Sequence, residues 1–539
     1  MKDPKKSTTG LNRRDALKAV TTAGLGLAAG GLGSSGVFAQ ASVPKKGEQN
    51  RIQLENAKPG TRDWLLTKTD ITANEPVELW RSPRIEGYCS EASVSAGDTL
   101  KIMVSANPVS EFNLEIYRTG YYGGKGGRFM KRFDSLNGTI QPDPPVGKRR
   151  LRECQWEPSV EFEIPKDWLS GVYLGKLTAK EGGAQSYVIF IVRDDRPRDL
   201  LFQCSDMTWL AYNPWPTNEY SLYHNDANGH TGYKKRKKWS TNADDTGWVS
   251  FDRPYSQFCQ DHLVDRPSSV GSGEFLLWEF PLSYWMEQRG YDVSYISNVD
   301  THRDAAGLQR AKGFISVGHD EYWTREMYDN VSDARDAGVN LAFLSGNSIC
   351  WEAPLMPSAA GQPNRIFRRG GLCVGEKVYG ELSEEMKRRV IKMVGSFPPG
   401  QDAALLMGGR HQGLGGGDWV CTEPEHWLYE GAGMKTGDAV KGLVGWEWHG
   451  NPARDLPGHR ILASSNAVDV KKRTYTPHAA TIYDGPKGNV IFNAGTIWYA
   501  QGLSSPPGHV LPQHNHAKPQ GPDPRVQRMT ANLFDRFIK

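Results

Sequence analysis

A strand–helix–strand pattern in the middle of the chain constrains its fold more than any other feature. Apolar runs at residues 313–317 and 339–344 flank a segment, 324–337, in which apolar residues recur at helical spacing. Two buried strands joined by an amphipathic helix run parallel in one sheet. The sequence therefore predicts an α/β domain, with its functional site beyond the carboxyl ends of the strands.

The sequence before residue 196 has a different pattern. Short segments at 100–104, 112–116 and 160–164 alternate apolar and polar residues, and residues 171–179 and 187–192 add two more strands. Short strands with Gly-rich and Pro-rich turns and no helices between them predict a β-sandwich.

These patterns predict a multidomain chain. We expect a polar linker at 42–75, a β-sandwich at 76–195 and an α/β domain at 196–539, with a glycine-rich insertion at about 365–470.

The first 41 residues have the composition of a twin-arginine signal peptide. NRRDALK at 12–18 precedes a weakly apolar stretch with six glycines in twenty residues, and AQA at 39–41 offers a cleavage site. The stretch is too polar for a stable membrane span. We therefore expect export through the twin-arginine machinery to the periplasm or the medium.

Removing the signal leaves 59 basic and 59 acidic residues, so the mature chain has no net charge. This balance argues against a nucleic-acid partner, and the basic run at 234–238 is interpreted as a solvated loop. The seven cysteines are dispersed without a C-x-x-C pair, which argues against zinc ribbons and dithiol redox motifs. We expect mostly buried thiols, with one disulfide allowed.

The motif GHDEYW at 318–323 holds the most informative candidate residues. His319, Asp320 and Glu321 directly follow an apolar strand, where acid–base catalysts or metal ligands are useful. The alternative is a structural role, because Asp320 or Thr324 is also suited to cap the following helix.

Further candidates are less specific. Asn347 follows the next strand and is suited to orient a substrate or stabilise an oxyanion, and Tyr212 follows the first strand of the α/β domain. Cys350 fits a buried thiol better than a nucleophile. The remaining weak candidates are a histidine metal site at His509, His514 and His516, and the seventeen tryptophans as core or sugar-binding surface.

Several motifs together resemble the family named for the large subunit of N,N-dimethylformamidase. They occur in one order along the chain: IYRTGYYGG at 116–124, TWLAYN at 208–213, SFDRPY at 250–255, GHDEYW at 318–323 and FNAGT at 492–496. The resemblance implies an immunoglobulin-like β-sandwich followed by a glutamine-amidotransferase-like, flavodoxin-like α/β domain. It also implies hydrolysis of an amide bond at a mononuclear iron held by two tyrosines and a glutamate.

Under this resemblance Glu321 and Tyr212 correspond to two of the iron ligands, and His319 corresponds to the adjacent histidine. The second tyrosine falls on Phe251, which has no oxygen, and Tyr255, four residues further on, is the candidate substitute metal ligand. A second acidic catalytic residue is assigned to Glu447. We therefore expect weak or absent iron and poor hydrolysis of simple formamides.

Three functions follow as hypotheses. The first is an exported hydrolase of a carbon–nitrogen (amide) bond that acts on a small-molecule amide, with His319, Glu321, Asn347 and Glu447 in its site. The second is a non-catalytic periplasmic binding protein for a glycan or envelope polymer on an amidotransferase-like scaffold. The third is hydrolysis of another bond, such as a glycosidic one.

Overall fold

The computed structural model describes residues 49–70, 72–74, 77–217, 220–222, 247–256, 269–370, 402–450, 456–469, 477–512 and 517–539. The predicted signal peptide and the basic run at 234–238 lie outside these residues. The same holds for Cys259, Cys373, His514 and His516. Residues 47–539 form one compact unit.

The first part of this unit consists of strands. They are β1 (Thr72–Asn74), β2 (Val77–Arg81), β3 (Ile85–Cys89), β4 (Ser93–Ser95), β5 (Thr99–Ala106), β6 (Glu111–Thr119), β7 (Gly127–Asn137), β8 (Pro158–Glu163), β9 (Gly171–Ala179) and β10 (Gln185–Arg193). A five-stranded sheet has the order β4-β10-β9-β6-β7, and a three-stranded sheet has the order β3-β5-β8.

These two sheets share one hydrophobic core. Leu100 and Val104 of the smaller sheet cluster with Phe112, Ile116 and Phe190 of the larger one. The alternation in the sequence produces this packing, because every second side chain of a strand faces the same side. The immunoglobulin-like topology implied by the family resemblance stays a prediction.

The second part mixes strands and helices. Its strands are β11 (Arg198–Cys204), β12 (Trp248–Ser250), β13 (Val293–Ser297), β14 (Ala311–His319), β15 (Tyr322–Trp323), β16 (Asn340–Gly346), β17 (Trp351–Glu352), β18 (Leu355–Met356), β19 (Ile366–Arg368), β20 (Arg410–Val420), β21 (Ala439–Gly450), β22 (Arg460–Ser465), β23 (Val468–Asp469), β24 (His478–Asp484) and β25 (Val490–Asn493).

The described α-helices are few and mostly short. They are α1 (Arg51–Asn56), α2 (Asp206–Tyr212), α3 (Phe280–Arg289), α4 (Asn298–Arg303), α5 (Ala305–Leu308), α6 (Arg325–Ala337), α7 (Ala403–Met407) and α8 (Pro524–Ile538). No helix among the described residues is long and apolar enough to cross a membrane.

A seven-stranded sheet of order β13-β11-β14-β16-β25-β24-β22 organises this part. The first five strands are parallel, and β24 and β22 add an antiparallel edge. The unit β14–α6–β16 matches the pattern in the sequence. Thr324 caps α6 at its start, Gly338 ends it in a left-handed conformation, and its apolar side chains are buried.

The segment predicted as a linker is partly a packed element instead. Helix α1 buries Ile52, and Trp64 after it is also buried. The polar sequence of α1 did not indicate that the helix is packed, because its buried charge is paired with distant residues. Glu55 accepts hydrogen bonds from Arg128 (2.6 Å) and Tyr122 (2.9 Å). A polar sequence therefore folds onto the protein through buried ion pairs rather than through apolar periodicity.

The region predicted as an insertion contributes to the main sheet. Strand β22 lies within it and pairs with β24 at the sheet edge. Strands β20, β21 and β23 form a separate three-stranded sheet. Glycines interrupt the apolar alternation of β20, which is why the sequence did not reveal this sheet.

Candidate active site

The described site lies where the parallel strands end. Strand β14 ends at His319, β16 is followed by Asn347, and α2, which follows β11, ends at Tyr212. Strand β21 brings Glu447 to the same place. Carboxyl ends of parallel strands share one edge, which explains why residues far apart in sequence converge here.

The predicted residues form a connected hydrogen-bonded group. His319 Nε2 lies 3.2 Å from Oε2 of Glu321 and 3.2 Å from Oε2 of Glu447. The Tyr212 hydroxyl donates to Oε2 of Glu321 (2.7 Å), and Asn347 Nδ2 donates to Oε2 of Glu447 (2.9 Å). We call these five residues the His319 cluster.

The charge of His319 follows from its neighbours. Burial alone lowers the pKa of the imidazole, but hydrogen bonds and charge attraction from Glu321 and Glu447 outweigh it and raise the pKa to about 10. The His319 side chain is fully buried, whereas the Glu447 side chain keeps 11% of its surface exposed. His319 is therefore a buried imidazolium between two carboxylates, and one of these, Glu447, is partly accessible to solvent.

Asp320 points away from this cluster. Its carboxylate accepts hydrogen bonds from Gln203 (2.6 Å), Ser316 (2.8 Å) and Asn298 (3.1 Å). Burial raises the pKa of Asp320 to about 6 against the effect of these three donors. Asp320 is a structural residue, and the helix-capping role proposed for it belongs to Thr324.

A glycine lets β21 approach the end of β16. A Cβ on Gly346 would lie 2.5 Å from Ile497 N and 2.7 Å from the carbonyl oxygen of Glu447. The next residue, Asn347, has a left-handed backbone with φ of 51°. The close approach and the turn together place the Asn347 amide against Glu447.

The sequence did not single out His449 as part of the site. Its Nδ1 pairs with Oδ1 of Asn493 (2.8 Å), and its Nε2 accepts from the backbone N–H of Ser348 (3.0 Å). Burial lowers the pKa of His449 to about 3, which keeps the ring neutral. His449 positions the turn that carries Asn347, and no local sequence signal distinguishes it from any other strand histidine.

Glu274 is a second residue that sequence reasoning missed. It is buried, and neither carboxylate oxygen has a hydrogen-bond partner within 3.5 Å among the described residues. Burial raises the pKa of Glu274 to about 8; His319 opposes this rise, and Glu321 adds to it. Glu274 therefore holds its proton more tightly than an exposed glutamate does.

The structure describes the residues that correspond to the inferred iron ligands. Tyr212 and Glu321 supply two oxygens, but Phe251 is buried against Phe367 (ring centroids 6.3 Å apart) and supplies none. Tyr255 is half-buried and packs edge-on against Trp209.

The other candidates lie in ordinary structural surroundings. Cys350 is half-buried and packs against the hydrophobic core of the α/β part, while Cys89, Cys154, Cys204 and Cys421 are buried thiols. His509 pairs through its ring with the Leu276 carbonyl and the Gln501 side chain.

A known protein family matches most of this chain. The model of the N,N-dimethylformamidase beta subunit-like, C-terminal family matches residues 113–516, about three quarters of the chain. The chain belongs to this family. The matched range contains the whole His319 cluster.

Individual relatives are more distant. The N,N-dimethylformamidase beta subunit of Alcaligenes sp is 24% identical over 235 residues, which cover 38% of this chain and 29% of that protein. The match thus spans less than a third of the relative's length. A solved family 123 glycoside hydrolase from Clostridium perfringens matches at 10% identity over 49% of this chain and 72% of that chain. Its TM-score of 0.10 supports no structural inference.

Proposed function

We propose that this protein hydrolyses a carbon–nitrogen bond of an amide at the His319 cluster. The observation that carries the proposal is the buried His319 ring, whose Nε2 lies 3.2 Å from a carboxylate oxygen of Glu321 and 3.2 Å from one of Glu447. A fixed cation beside a carboxylate base is suited to acyl chemistry, in which negative charge develops on the carbonyl oxygen. Membership of a family named for an amide hydrolase supports the same reaction.

The proposed reaction divides the roles between two residues. Glu447, the more exposed carboxylate, takes a proton from a water molecule as the water oxygen attacks the carbonyl carbon. The positive charge of the His319 imidazolium stabilises the negative charge on the carbonyl oxygen. When the carbon–nitrogen bond breaks, the proton passes to the leaving nitrogen, and the products are an amine and a carboxylate.

Asn347 supports this reaction in two ways. An ionised carboxylate only accepts hydrogen bonds, so the Asn347 nitrogen must face Glu447, and this fixes the orientation of the amide group. Its Oδ1 is buried without a hydrogen-bond partner among the described residues. We propose that this oxygen accepts a hydrogen bond from an N–H of the substrate, which favours primary and secondary amides.

A substrate panel with matched glutamate variants tests the activity. The full chain is incubated with primary, secondary and tertiary amides, and the released amine is measured. Glu447→Gln should lower the rate by about 100-fold or more, because a general base is lost. Glu352→Gln is the control, since Glu352 pairs with Arg325 outside the cluster and should leave the rate unchanged. Equal rates for wild type and Glu447→Gln would refute the proposal.

We also propose that iron is not required. One of three inferred ligand positions is Phe251, so iron should bind well below one atom per chain, and Tyr212→Phe should not change the iron content. Elemental analysis of both proteins is the measurement. Stoichiometric iron in the wild type, lost in Tyr212→Phe, would contradict this proposal and restore the metal site.

The binding-protein alternative receives less support. Among the tryptophans whose side chains the structure describes, none is exposed, so they do not form an aromatic binding surface there. Failure to hydrolyse any amide in the panel would favour this alternative.

For the cellular location we propose twin-arginine export. Replacing both Arg13 and Arg14 with lysine should retain the precursor in the cytoplasm, as measured by fractionation.

A further inference from the structure

A polar cavity of about 330 Å³ lies between the end of the last sandwich strand and the start of the seven-stranded sheet. Its wall is formed by residues of β10, β11, α4 and α5 and by the connections between them. The volume falls in the range of small-molecule pockets, roughly 300–1,000 Å³. Four arginines line it, namely Arg193, Arg198, Arg303 and Arg310.

Arg198 differs from the other three because it has no carboxylate partner among the described residues. Only 5% of its surface is exposed. Its Nε donates to the backbone carbonyl of Arg196 (2.8 Å), and its Nη2 has no acceptor. A buried guanidinium paired with one neutral carbonyl is an uncompensated charge, which is costly in a folded protein.

The aspartates that line the cavity are already engaged. Asp195 and Asp304 both accept from Arg310, at 3.1 and 3.0 Å. The other pairs are Asp300 with Arg303 (2.7 Å) and Ser93 (2.5 Å), and Asp194 with Arg196 (2.9 Å) and Ser294 (2.7 Å). The carboxylates therefore leave Arg198 unneutralised, and Nε of Arg310 also lacks an acceptor.

We propose that this cavity binds a small molecule through a compact oxyanion, phosphate or carboxylate, that pairs with Arg198. A guanidinium presents parallel N–H donors that match both groups. Burial and the neighbouring Arg310 and Arg196 lower the pKa of Arg198, against the attraction of Asp194, which agrees with a cation that lacks a counter-ion.

The cavity is separate from the His319 cluster. Arg198 pairs with Ala311 at the start of β14, whereas His319 ends the same strand. Eight residues of extended strand span about 26 Å. A ligand in the cavity is therefore an effector or a stabilising anion rather than the substrate of the cluster, and the proposal does not depend on the amidase function.

Titration with inorganic phosphate tests the proposal. Phosphate and acetate are added separately at constant ionic strength set with sodium chloride, and binding is measured by calorimetry and by the thermal midpoint. We expect saturable binding of one anion and a rise in Tm of about 1–2 °C at ten times its Kd. The anion that binds more tightly distinguishes a phosphoryl from a carboxylate ligand. No binding above the sodium chloride control would overturn the proposal.

Variants of Arg198 test whether the anion binds in this cavity. Arg198→Gln should abolish anion binding while its own Tm without anion equals or exceeds that of the wild type, because an unpaired buried charge is removed. Arg198→Lys keeps the positive charge but lacks the parallel N–H donors of a guanidinium, so this variant should bind the anion at least about fivefold more weakly. Arg132→Gln, at an exposed arginine of β7, is the control and should bind like the wild type. Full binding by Arg198→Gln would assign the anion elsewhere and refute the proposal.

Discussion

The pKa of the buried His319 ring is strongly raised by its neighbours. An exposed histidine loses its proton near its ordinary pKa of 6.5, whereas Glu321 and Glu447 raise the pKa of this one to about 10. A raised pKa means that the folded state binds the proton more tightly than the unfolded state. The resulting stabilisation is complete below pH 6.5 and is lost as the pH rises through 10.

We therefore expect amide hydrolysis to fall at alkaline pH, with an apparent pKa near 10. Glu321→Gln removes one carboxylate and should move the pKa of His319 down by about one to three units. The imidazole resonance in an NMR titration reports this shift even if the variant is inactive. An unchanged His319 titration in Glu321→Gln would contradict the geometry of the cluster.

At the residue scale, the sequence pattern nominated four members of the cluster and the family resemblance added Glu447, but neither indicated their burial. His319 and Glu321 stand out because titratable groups rarely follow a buried strand without a reason. At an exposed sheet edge, His319→Ala would cost little stability. The buried ring between two carboxylates implies instead a loss of about 3–5 kcal/mol. Glu274 and His449 reach the site through tertiary packing, which no local pattern encodes.

At the scale of elements, the junction of β16 and β21 determines whether Asn347 meets Glu447. Gly346→Ala would place a Cβ 2.7 Å from the carbonyl oxygen of Glu447 in β21 and 2.5 Å from the backbone nitrogen of Ile497, contacts that side-chain rotation does not relieve. We expect the free energy of unfolding to fall by about 1–3 kcal/mol, together with loss of activity. Chemical denaturation and the amide assay measure the two effects.

Gly247→Ala is the matched control, because its nearest neighbour would lie 3.4 Å from the added Cβ. It should leave stability and activity nearly unchanged. If Gly346→Ala behaved like this control, the contact between β16 and β21 would not hold the site together.

Whether an element could be predicted from the sequence depends on how regularly its apolar residues repeat. The unit β14–α6–β16 could be predicted because its helix repeats apolar residues every three to four positions and its strands are buried except near their first residues. Helix α1 could not, since Glu55 is held by an ion pair with Arg128 and a hydrogen bond from Tyr122, both more than sixty positions away. Strand β22 is an edge strand with partly exposed residues, and its alternation is weak.

For the whole molecule, one buried ion pair links the sandwich to the α/β part. Arg118 of β6 donates to both carboxylate oxygens of Glu287 of α3, at 2.8 and 3.0 Å, and both side chains are fully buried. The Tyr295 hydroxyl and the Asn56 amide also donate to Glu287. The sequence shows two patterns that meet near residue 195, but it does not show that such a pair joins them.

We expect Arg118→Met to lower the free energy of unfolding by about 3–5 kcal/mol, because it leaves Glu287 buried without a counter-charge. Arg118→Met/Glu287→Met should recover part of this loss, since no uncompensated charge remains. Lys441→Met removes the exposed pair with Asp418 and should change little. Urea denaturation measures all three proteins.

The same pair bears on whether the predicted sandwich separates from the α/β part. After protease cleavage near residue 195, the wild-type fragments should elute together in gel filtration, because the Arg118–Glu287 pair and the hydrogen bonds from Asn56 and Asn50 to α3 and its C-cap still hold them. The Arg118→Met fragments should dissociate. Separation of the wild-type fragments would mean that the interface is weak, and would make the two parts independent domains as the sequence predicts.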